Sequence, residues 1–363
     1  MKNSPPRFIH CASLASSILL AFCQLLRSEP VATGWSSGPD LPTSLVRATG
    51  VYFPADGRFY AMGGRMSDAF GADLTTPYEY NPKTNTWAYK TAPFPDNQVC
   101  NMACGVLTDR GTPYIYCVGG TAADGSRNAT TRVFRYNPVT DTMQTVGLDS
   151  WSESTPNTVP GGFTVFQNKL YILGGLTLGN SGTNRIFEFS PGRPAGSQWK
   201  QKTATLPESL GFVPVAAIGN LIFTAGGSKF LPCALVETDH SYVYDPVADT
   251  LAPIKSIPRM TGETRAVTVG NEMWVLGGGR AAASRSTEVN IFNPLTGEWR
   301  VGTPLNAGLR NFAAASDGRS IFIAGGYDSS ATPVKTTLIY RAPSGTSVES
   351  NSETPAETAK ADQ

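Results

Sequence analysis

The stretch FYAMGG at residues 59–64 sets the pattern of this sequence. An apolar run that ends in a glycine pair returns five more times, at intervals of 48 to 56 residues. The other copies are IYCVGG (115–120), YILGG (171–175), IFTAGG (222–227), WVLGG (274–278) and IFIAGG (321–326). Self-similarity at about 50 residues is typical of a radial or solenoid repeat. The sequence therefore predicts six copies of one structural unit.

Each copy carries the pattern of four β-strands. Before the glycine pair, a turn dipeptide such as Asp56-Gly57 separates two short apolar runs, which is typical of a β-hairpin. Fourteen to seventeen residues after the pair, an aromatic residue such as Tyr80 ends a third strand. Asn-Pro or Asp-Pro follows most of these aromatic residues, and that dipeptide opens a turn. In most copies a fourth strand follows, with Trp87 as its large apolar residue in the first copy.

The glycine pairs themselves need a physical reason, because glycine weakens a strand. Its repeated use predicts that another backbone or an aromatic ring approaches too closely for any side chain. We expect that group to be the repeated tyrosine or phenylalanine of the third strand.

These residues resemble the kelch repeat, whose signature is an apolar strand ending in Gly-Gly, then a spaced tyrosine and a spaced tryptophan. The resemblance covers residues 34–341, with Met143 and Leu251 at two tryptophan positions and phenylalanine at two tyrosine positions. It implies a β-propeller with one four-stranded blade per repeat. We therefore predict an all-β, six-bladed kelch-type β-propeller that occupies residues 34–342.

The sixth copy lacks a fourth strand, because no tryptophan-bearing segment follows Tyr340. Trp35, in the segment GWSSGPDLP, precedes the first hairpin and has no other strand to belong to. We predict that residues 33–37 complete the last blade and so remove an open sheet edge.

Composition limits the function. The formal charge is +1, from 29 basic and 28 acidic residues, so we expect no nucleic-acid partner and no attraction to anionic membranes. The two histidines are too few for a metal site built on several imidazoles. This excludes copper oxidases built on kelch propellers, similar to galactose oxidase. We predict no cofactor and no metal.

The two ends of the chain differ from the repeats. Residues 1–33 combine Lys2 and Arg7 with the apolar stretch CASLASSILLAFCQLL (11–26), which is typical of a secretory signal peptide and short linker. We expect a secreted or periplasmic protein with no membrane contact beyond that signal, and an uncleaved signal anchor is the alternative. Residues 343–363 are polar and predict a disordered tail.

The candidate site lies on one face of the propeller. The loops after the second strands are long and differ in every copy, and variable loops on a repeated scaffold commonly carry function. The segments that enter the first strands share that face, and Arg47, Arg265 and Arg310 take equivalent positions there in VRATG, TRAVT and LRNFA. The resemblance implies that these arginines contact a carboxylate or another anionic group. The alternative is that each pairs with a nearby acid, such as Glu263, or with inter-blade carbonyls.

Three more residues complete the predicted binding site. Asn101 stands at the entry position of the second copy, while Arg65 and Tyr327 directly follow glycine pairs. Pocket lining is one interpretation of these residues. A solvated loop charge, for Arg65, and ordinary loop packing, for the other two, are the alternatives.

The cysteines outside the signal are Cys100, Cys104, Cys117 and Cys233. If Leu107 faces Tyr114 across the second hairpin, Cys104 lies opposite Cys117, and we predict a disulfide between them. Free buried thiols are the alternative. The spacing fits no common zinc site.

Two functions of different class follow. The first is a secreted binding protein that uses the loop face around the central channel to bind a protein segment or a glycan, with no chemistry. The second is a small-sugar-modifying enzyme, similar to exported kelch-type sialic acid epimerases, in which Arg265 holds a substrate carboxylate and Glu263 or Glu237 moves protons. We favour the binding protein because no acid–base constellation is visible, and we expect a monomer. His240, the only histidine after the signal, is expected at the surface.

Overall fold

The computed structural model describes residues 34–126, 128–178, 181–231, 234–279 and 286–342. The predicted signal peptide and polar tail lie outside these residues, as do Cys233 and Arg280. The described chain forms β-strands and no helix.

The strands alternate with turns and connections along the whole described chain. The first thirteen are β1 (Gly34–Ser37), β2 (Thr49–Phe53), β3 (Arg58–Met62), β4 (Tyr78–Asn81), β5 (Thr86–Tyr89), β6 (Ala103–Asp109), β7 (Thr112–Val118), β8 (Val133–Asn137), β9 (Thr142–Thr145), β10 (Thr158–Phe166), β11 (Lys169–Thr177), β12 (Ser181–Phe189) and β13 (Trp199–Thr205). The others are β14 (Val215–Ile218), β15 (Leu221–Ala225), β16 (Ser228–Leu231), β17 (Ala234–Glu237), β18 (Ser241–Asp245), β19 (Thr250–Ile254), β20 (Arg265–Val269), β21 (Glu272–Leu276), β22 (Val289–Asn293), β23 (Glu298–Val301), β24 (Ala313–Ser316), β25 (Ser320–Ala324) and β26 (Thr337–Arg341).

These strands form six antiparallel four-stranded sheets, which are the blades of a propeller. Blades 1 to 3 are β2–β5, β6–β9 and β10–β13; blade 4 is β14, β15, β18 and β19; blade 5 is β20–β23; and blade 6 is β24–β26 with β1. The innermost strands, which are β2, β6, β10, β14, β20 and β24, pack side by side in a closed ring around the channel. The predicted six-bladed β-propeller is confirmed.

The last blade closes as the sequence predicts. Strand β1 pairs with β26, and Trp35 lies opposite Tyr340. The Trp35 indole also donates a hydrogen bond to the carbonyl of Thr303 in blade 5, at 2.9 Å. The two ends of the described chain therefore hold the ring together.

The glycine pairs have a different cause from the expected one. A Cβ on Gly63 would lie 2.3 Å from the carbonyl oxygen of Val99, and one on Gly325 would lie 2.0 Å from that of Leu45. Both carbonyls belong to segments that enter the next blade, and they accept hydrogen bonds from Gly64 and Gly326 at 2.9 and 2.7 Å. The expectation that an aromatic ring approaches these glycines is wrong, because a neighbouring backbone does so.

The repeated aromatic residues pack against the fourth strands instead. Ring centroids lie 5.3 Å apart for Tyr80 and Trp87, and 5.1 Å apart for Phe292 and Trp299. Such tilted contacts stabilise aromatic pairs beyond the burial of their area. The spaced tyrosine and tryptophan of the repeat thus hold the outer half of a blade together.

The propeller has two unlike ends. We call the end at which the chain enters each innermost strand the entry face, and the connections after the second strands lie there too. Blades 3 and 4 are built up on this face: β10, β11 and β12 are nine residues long, and the hairpin β16–β17 is inserted after β15. The opposite end carries the short turns and is called the far face.

Candidate functional site at the entry face

The chain enters four of the innermost strands through a ring of linked residues. Asn311 donates its backbone N–H to Glu263 at 2.7 Å, Arg47 donates to Asn311 at 2.8 Å, and Asn101 donates to Arg47 at 2.9 Å. All four residues have a positive φ, between 51° and 60°. They are the true equivalents of one another in blades 5, 6, 1 and 2.

The predicted equivalence of the three arginines is therefore wrong. Arg47 is a ring residue, whereas Arg310 precedes the ring residue of its blade and Arg265 follows its own by two positions. Strand register gives the reason. In each blade we compare the residue that lies opposite the last residue before the glycine pair. That residue is Thr49 in blade 1, Arg265 in blade 5 and Ala313 in blade 6. A shift of one or two residues at the start of a strand changes where a side chain points.

Arg310 is held by a buried carboxylate. Its guanidinium donates to Oε2 of Glu263, which also accepts a hydrogen bond from Asn311 Nδ2 at 2.8 Å. Glu263 is 2% exposed and Arg310 is 8% exposed. For Arg310, pairing with an acid is thus the observed arrangement.

Tyr327 connects this pair to blade 1. Its hydroxyl donates to Oδ1 of Asp68 at 2.6 Å and accepts from Arg65 at 3.0 Å, while Arg65 also pairs with Asp68. The guanidinium of Arg310 lies 4.3 Å from the centre of the Tyr327 ring, within range of a cation–π interaction. We call Glu263, Arg310, Tyr327, Arg65 and Asp68 the rim cluster.

The charges of the rim cluster offset one another. Burial would raise the pKa of the Asp68 carboxyl, but the Tyr327 hydroxyl and the Arg65 guanidinium outweigh it and hold that pKa below its usual value. Asp68 is therefore ionised at neutral pH. Within the rim cluster, two guanidiniums therefore face two carboxylates.

Arg265 is the contrasting case. It is the first residue of β20 in blade 5, and its guanidinium carbon lies 4.9 Å from the centre of the Phe163 ring. Phe163 belongs to β10 in blade 3, and blade 4 separates those two blades. Since β10 and β20 both line the axis, the Arg265 side chain must cross the central channel.

No hydrogen bond or ion pair joins the Arg265 guanidinium to any residue in the described ranges. Burial lowers its pKa to about 10. The side chain is half-buried, so it is a cation partly withdrawn from water, and the described residues give it no counter-charge. The arginine remains protonated at neutral pH, and its donors face the channel.

Arg47 is intermediate between the paired Arg310 and Arg265 in how far its guanidinium is satisfied. Its guanidinium is 5.9 Å from the centre of the Tyr327 ring, and its Nε atom is buried without a hydrogen-bond partner in the described chain. It lowers the pKa of Asp68 through space but forms no direct pair with it. Arg47 borders the rim cluster as a second incompletely satisfied cation.

The residues considered for acid–base chemistry lie elsewhere. Glu263 is engaged by Arg310 and Asn311 in the rim cluster, and Glu237 is buried at the end of β17. His240 is exposed, and its Nδ1 lies 2.5 Å from Glu208. Neither glutamate is paired with Arg265.

The cysteines of blade 2 lie close to the site but do not open into it. Cys104 lies opposite Cys117 in the β6–β7 hairpin, and a disulfide joins them. Cys100 is a buried free thiol 3.5 Å from Asp73, and burial, together with that carboxylate, raises its pKa to about 12. A thiol with that pKa is not a nucleophile at neutral pH.

Sequence reasoning missed three residues of this site: Phe163, Asp68 and Asn311. Asn311 directly follows Arg310, so correct alignment on the glycine pairs would have found it. Phe163 and Asp68 carry no sequence signal toward their arginines, because those contacts exist only once the ring has closed.

In the described ranges, no three histidine, cysteine, aspartate or glutamate side chains come together in a way that would hold a metal ion. Nothing helical in that part of the chain has the length and hydropathy of a membrane span.

Comparison with known proteins agrees with the geometry. Residues 55–91 and 260–306 match the family described as Kelch motif; the first segment contains β3–β5 of blade 1 and the second contains β20–β23 of blade 5. The chain is a kelch-repeat β-propeller. A solved structure titled "Structure of YjhT" superposes on this propeller with a TM-score of 0.64 and 16% identity, covering 82% of this chain and 95% of that one.

Two curated relatives carry the same repeat in their names. Kelch-like protein terF of Aspergillus terreus is 25% identical over 286 residues, which cover 76% of this propeller chain and 59% of the relative. Kelch-like protein 35 of Mus musculus is 30% identical over 169 residues, covering 46% of this chain and 25% of the relative. The chain thus spans about three fifths of the first relative and a quarter of the second. The kelch-propeller fold supports a role in protein interaction.

Proposed function

We propose that this kelch propeller is a binding module that holds an anionic group of its ligand in the central channel, beneath the entry face. The observation that carries the proposal is Arg265, a half-buried guanidinium that crosses the channel and has no counter-charge in the described chain. A cation in this state costs free energy in the empty protein. A ligand carboxylate or similar anion would offset that cost by forming charge-assisted hydrogen bonds.

The rest of the entry face provides positioning and contact area. Arg47 borders the channel mouth, and the balanced rim cluster fixes the geometry of blades 5, 6 and 1 without competing for the anion. On the other side, the extended strands of blade 3 and the β16–β17 hairpin of blade 4 rise above the mouth. This asymmetry suits a protein segment or a glycan that lies across the face and directs one acidic group into the channel.

The proposed setting is outside the cytoplasm. Residues 1–33 have the composition of a secretory signal, and the Cys104–Cys117 disulfide is the kind of bond that persists in an oxidising compartment. We propose that the module acts there as a monomer and without a cofactor.

A thermal-shift screen tests this function. The purified protein is heated with acidic sugars, neutral sugars and short acidic peptides, alongside the variants Arg265→Ala, Arg47→Ala, Arg310→Ala and the exposed control Arg319→Ala. A ligand that binds only the folded protein raises its melting temperature by mass action. We expect a shift with acidic compounds that Arg319→Ala retains and Arg265→Ala loses.

Two results would count against the proposal: no shift with any acidic compound, or an equal shift in the wild type and in Arg265→Ala. A shift confined to an acidic sugar would support anion binding in the channel and would direct the next experiment to isomerisation of that sugar. A shift confined to acidic peptides would identify the ligand as a protein segment.

A further inference from the structure

The outer edge of blade 2 has features that the entry face does not use. Strand β9 is the outermost strand of this blade and pairs only with β8. Val146 donates its N–H to the carbonyl of Val133 at 2.9 Å. This hydrogen bond fixes which residues of β9 point their backbone groups toward β8 and which point them outward. By that alternation Met143 and Thr145 direct their backbone N–H and C=O groups away from the sheet. Within the described chain these outward groups have no backbone partner.

A cavity of about 500 Å³ flanks β9 on the side of blade 3. The connection between β12 and β13 covers it, and its lining includes Arg110, Arg135, Arg193, Gln144 and Thr145. Arg135 and Gln144 are cross-strand neighbours, and their side chains are joined by a hydrogen bond of 2.8 Å. We call this space the arginine cavity.

The arginine cavity has an excess of positive charge. Arg135 pairs with Asp109 at 2.6 Å and Arg193 pairs with Glu188, but Arg110 forms no ion pair with any described residue. The Oε1 atom of Gln198, which lines the same cavity, is buried and lacks a hydrogen-bond partner in the described chain. The cavity therefore offers both an unpaired cation and an unpaired acceptor.

A second cavity of about 500 Å³ flanks β9 on the side of blade 1. Its lining is mainly apolar and includes Pro93, Phe94, Pro95 and Met143. We call it the proline cavity. Thr145 borders both cavities, so the short free edge of β9 runs between a space that carries arginines and one that carries prolines, Phe94 and Met143.

We propose that an extended segment of a partner protein adds to the free edge of β9, with acidic side chains in the arginine cavity and apolar side chains in the proline cavity. Successive side chains of an added strand point to opposite sides of the sheet. The two cavities also lie on opposite sides of β9, so alternate side chains would enter each of them. The main-chain hydrogen bonds supply affinity, and the alternating cavities supply specificity. Charge complementarity favours glutamate or aspartate at every second position of that segment.

This surface is independent of the channel. It lies on the outer rim of blade 2, whereas Arg265 lies on the axis in blade 5. A partner protein could therefore engage the edge while a ligand occupies the entry face, and failure of one proposal leaves the other in place.

The test uses a fluorescein-labelled peptide of eight residues in which glutamate and valine alternate, titrated with the full chain and followed by fluorescence polarisation. A peptide of alternating lysine and valine is the control for charge. Thr145→Pro removes one outward N–H at an edge position that proline tolerates. Arg110→Glu reverses the unpaired charge, and Arg319→Glu, at the matching exposed turn of blade 6, is its control.

We expect saturable binding of the glutamate–valine peptide and none of the lysine–valine peptide. Thr145→Pro should weaken binding about tenfold and Arg110→Glu about fivefold, while Arg319→Glu and Arg265→Met leave it unchanged. Circular dichroism and thermal unfolding establish that each variant is folded. The proposal is overturned if the glutamate–valine peptide fails to saturate at about 1 mM, if Thr145→Pro and Arg110→Glu bind it as the wild type does, or if Arg265→Met abolishes its binding.

Discussion

Arg310 and Arg265 come from neighbouring blades and lie at the same end of the propeller, yet their surroundings differ in one decisive respect. Arg310 is buried against the Glu263 carboxylate and the Tyr327 ring. Arg265 is half-buried against the Phe163 ring, and the described residues give it no counter-charge. The comparison teaches that an aromatic contact does not separate a structural arginine from a binding arginine here, since both arginines have one. What separates them is whether the fold supplies the counter-charge.

The largest expected effect comes from removing the counter-charge of the rim cluster. Glu263→Ala leaves Arg310 and Asn311 without their shared acceptor, and breaking a buried pair in this way costs about 3 kcal/mol or more. Urea unfolding measures the loss. The matched control is Glu298→Ala, which breaks an exposed pair with Lys255 and should cost less than about 1 kcal/mol. Equal losses in the two variants would show that the rim cluster is not a structural unit.

A smaller effect is expected from the contact between Arg265 and the Phe163 ring in the channel. If the Phe163 ring stabilises the guanidinium, then Phe163→Leu should cost more in the wild type than in an Arg265→Met background. The coupling expected for a cation–π contact is about 0.5–1 kcal/mol. A double-mutant cycle by urea unfolding measures it, and a coupling of zero would mean that Arg265 does not lie across the channel in solution.

The sequence was a good guide to the fold because the repeat is local. The glycine pairs leave room for the segment that enters the next blade, as the Gly64 and Gly326 hydrogen bonds to its carbonyls show. The third and fourth strands each carry an aromatic or large apolar residue that packs against the other. The glycine pairs and the aromatic residues recur at similar intervals along the chain, so the sequence of each copy shows them. The orphan strand with Trp35 followed from counting the strands in each copy.

The candidate site was less accessible, since its contacts join different blades. The sequence identified Arg265, Arg310 and Tyr327 as site residues, but it aligned the arginines by their neighbours rather than by strand register. It therefore treated Arg265 and Arg310 as alike. Which arginine meets a carboxylate depends on ring closure, which places β10 and β20 around one channel with blade 4 between them.

The measurement that tests the central claim most directly is the urea unfolding of Arg310→Met and Arg265→Met beside the wild type, with no ligand added. Arg310→Met removes the guanidinium that pairs with the buried Glu263 carboxylate and should lose about 3 kcal/mol of unfolding free energy. Arg265→Met removes a half-buried cation that has no counter-charge in the described residues and should leave stability unchanged or raise it by about 1 kcal/mol. A loss in Arg265→Met as large as that in Arg310→Met would contradict the account, because it would make Arg265 part of the scaffold rather than a site held open for an anion.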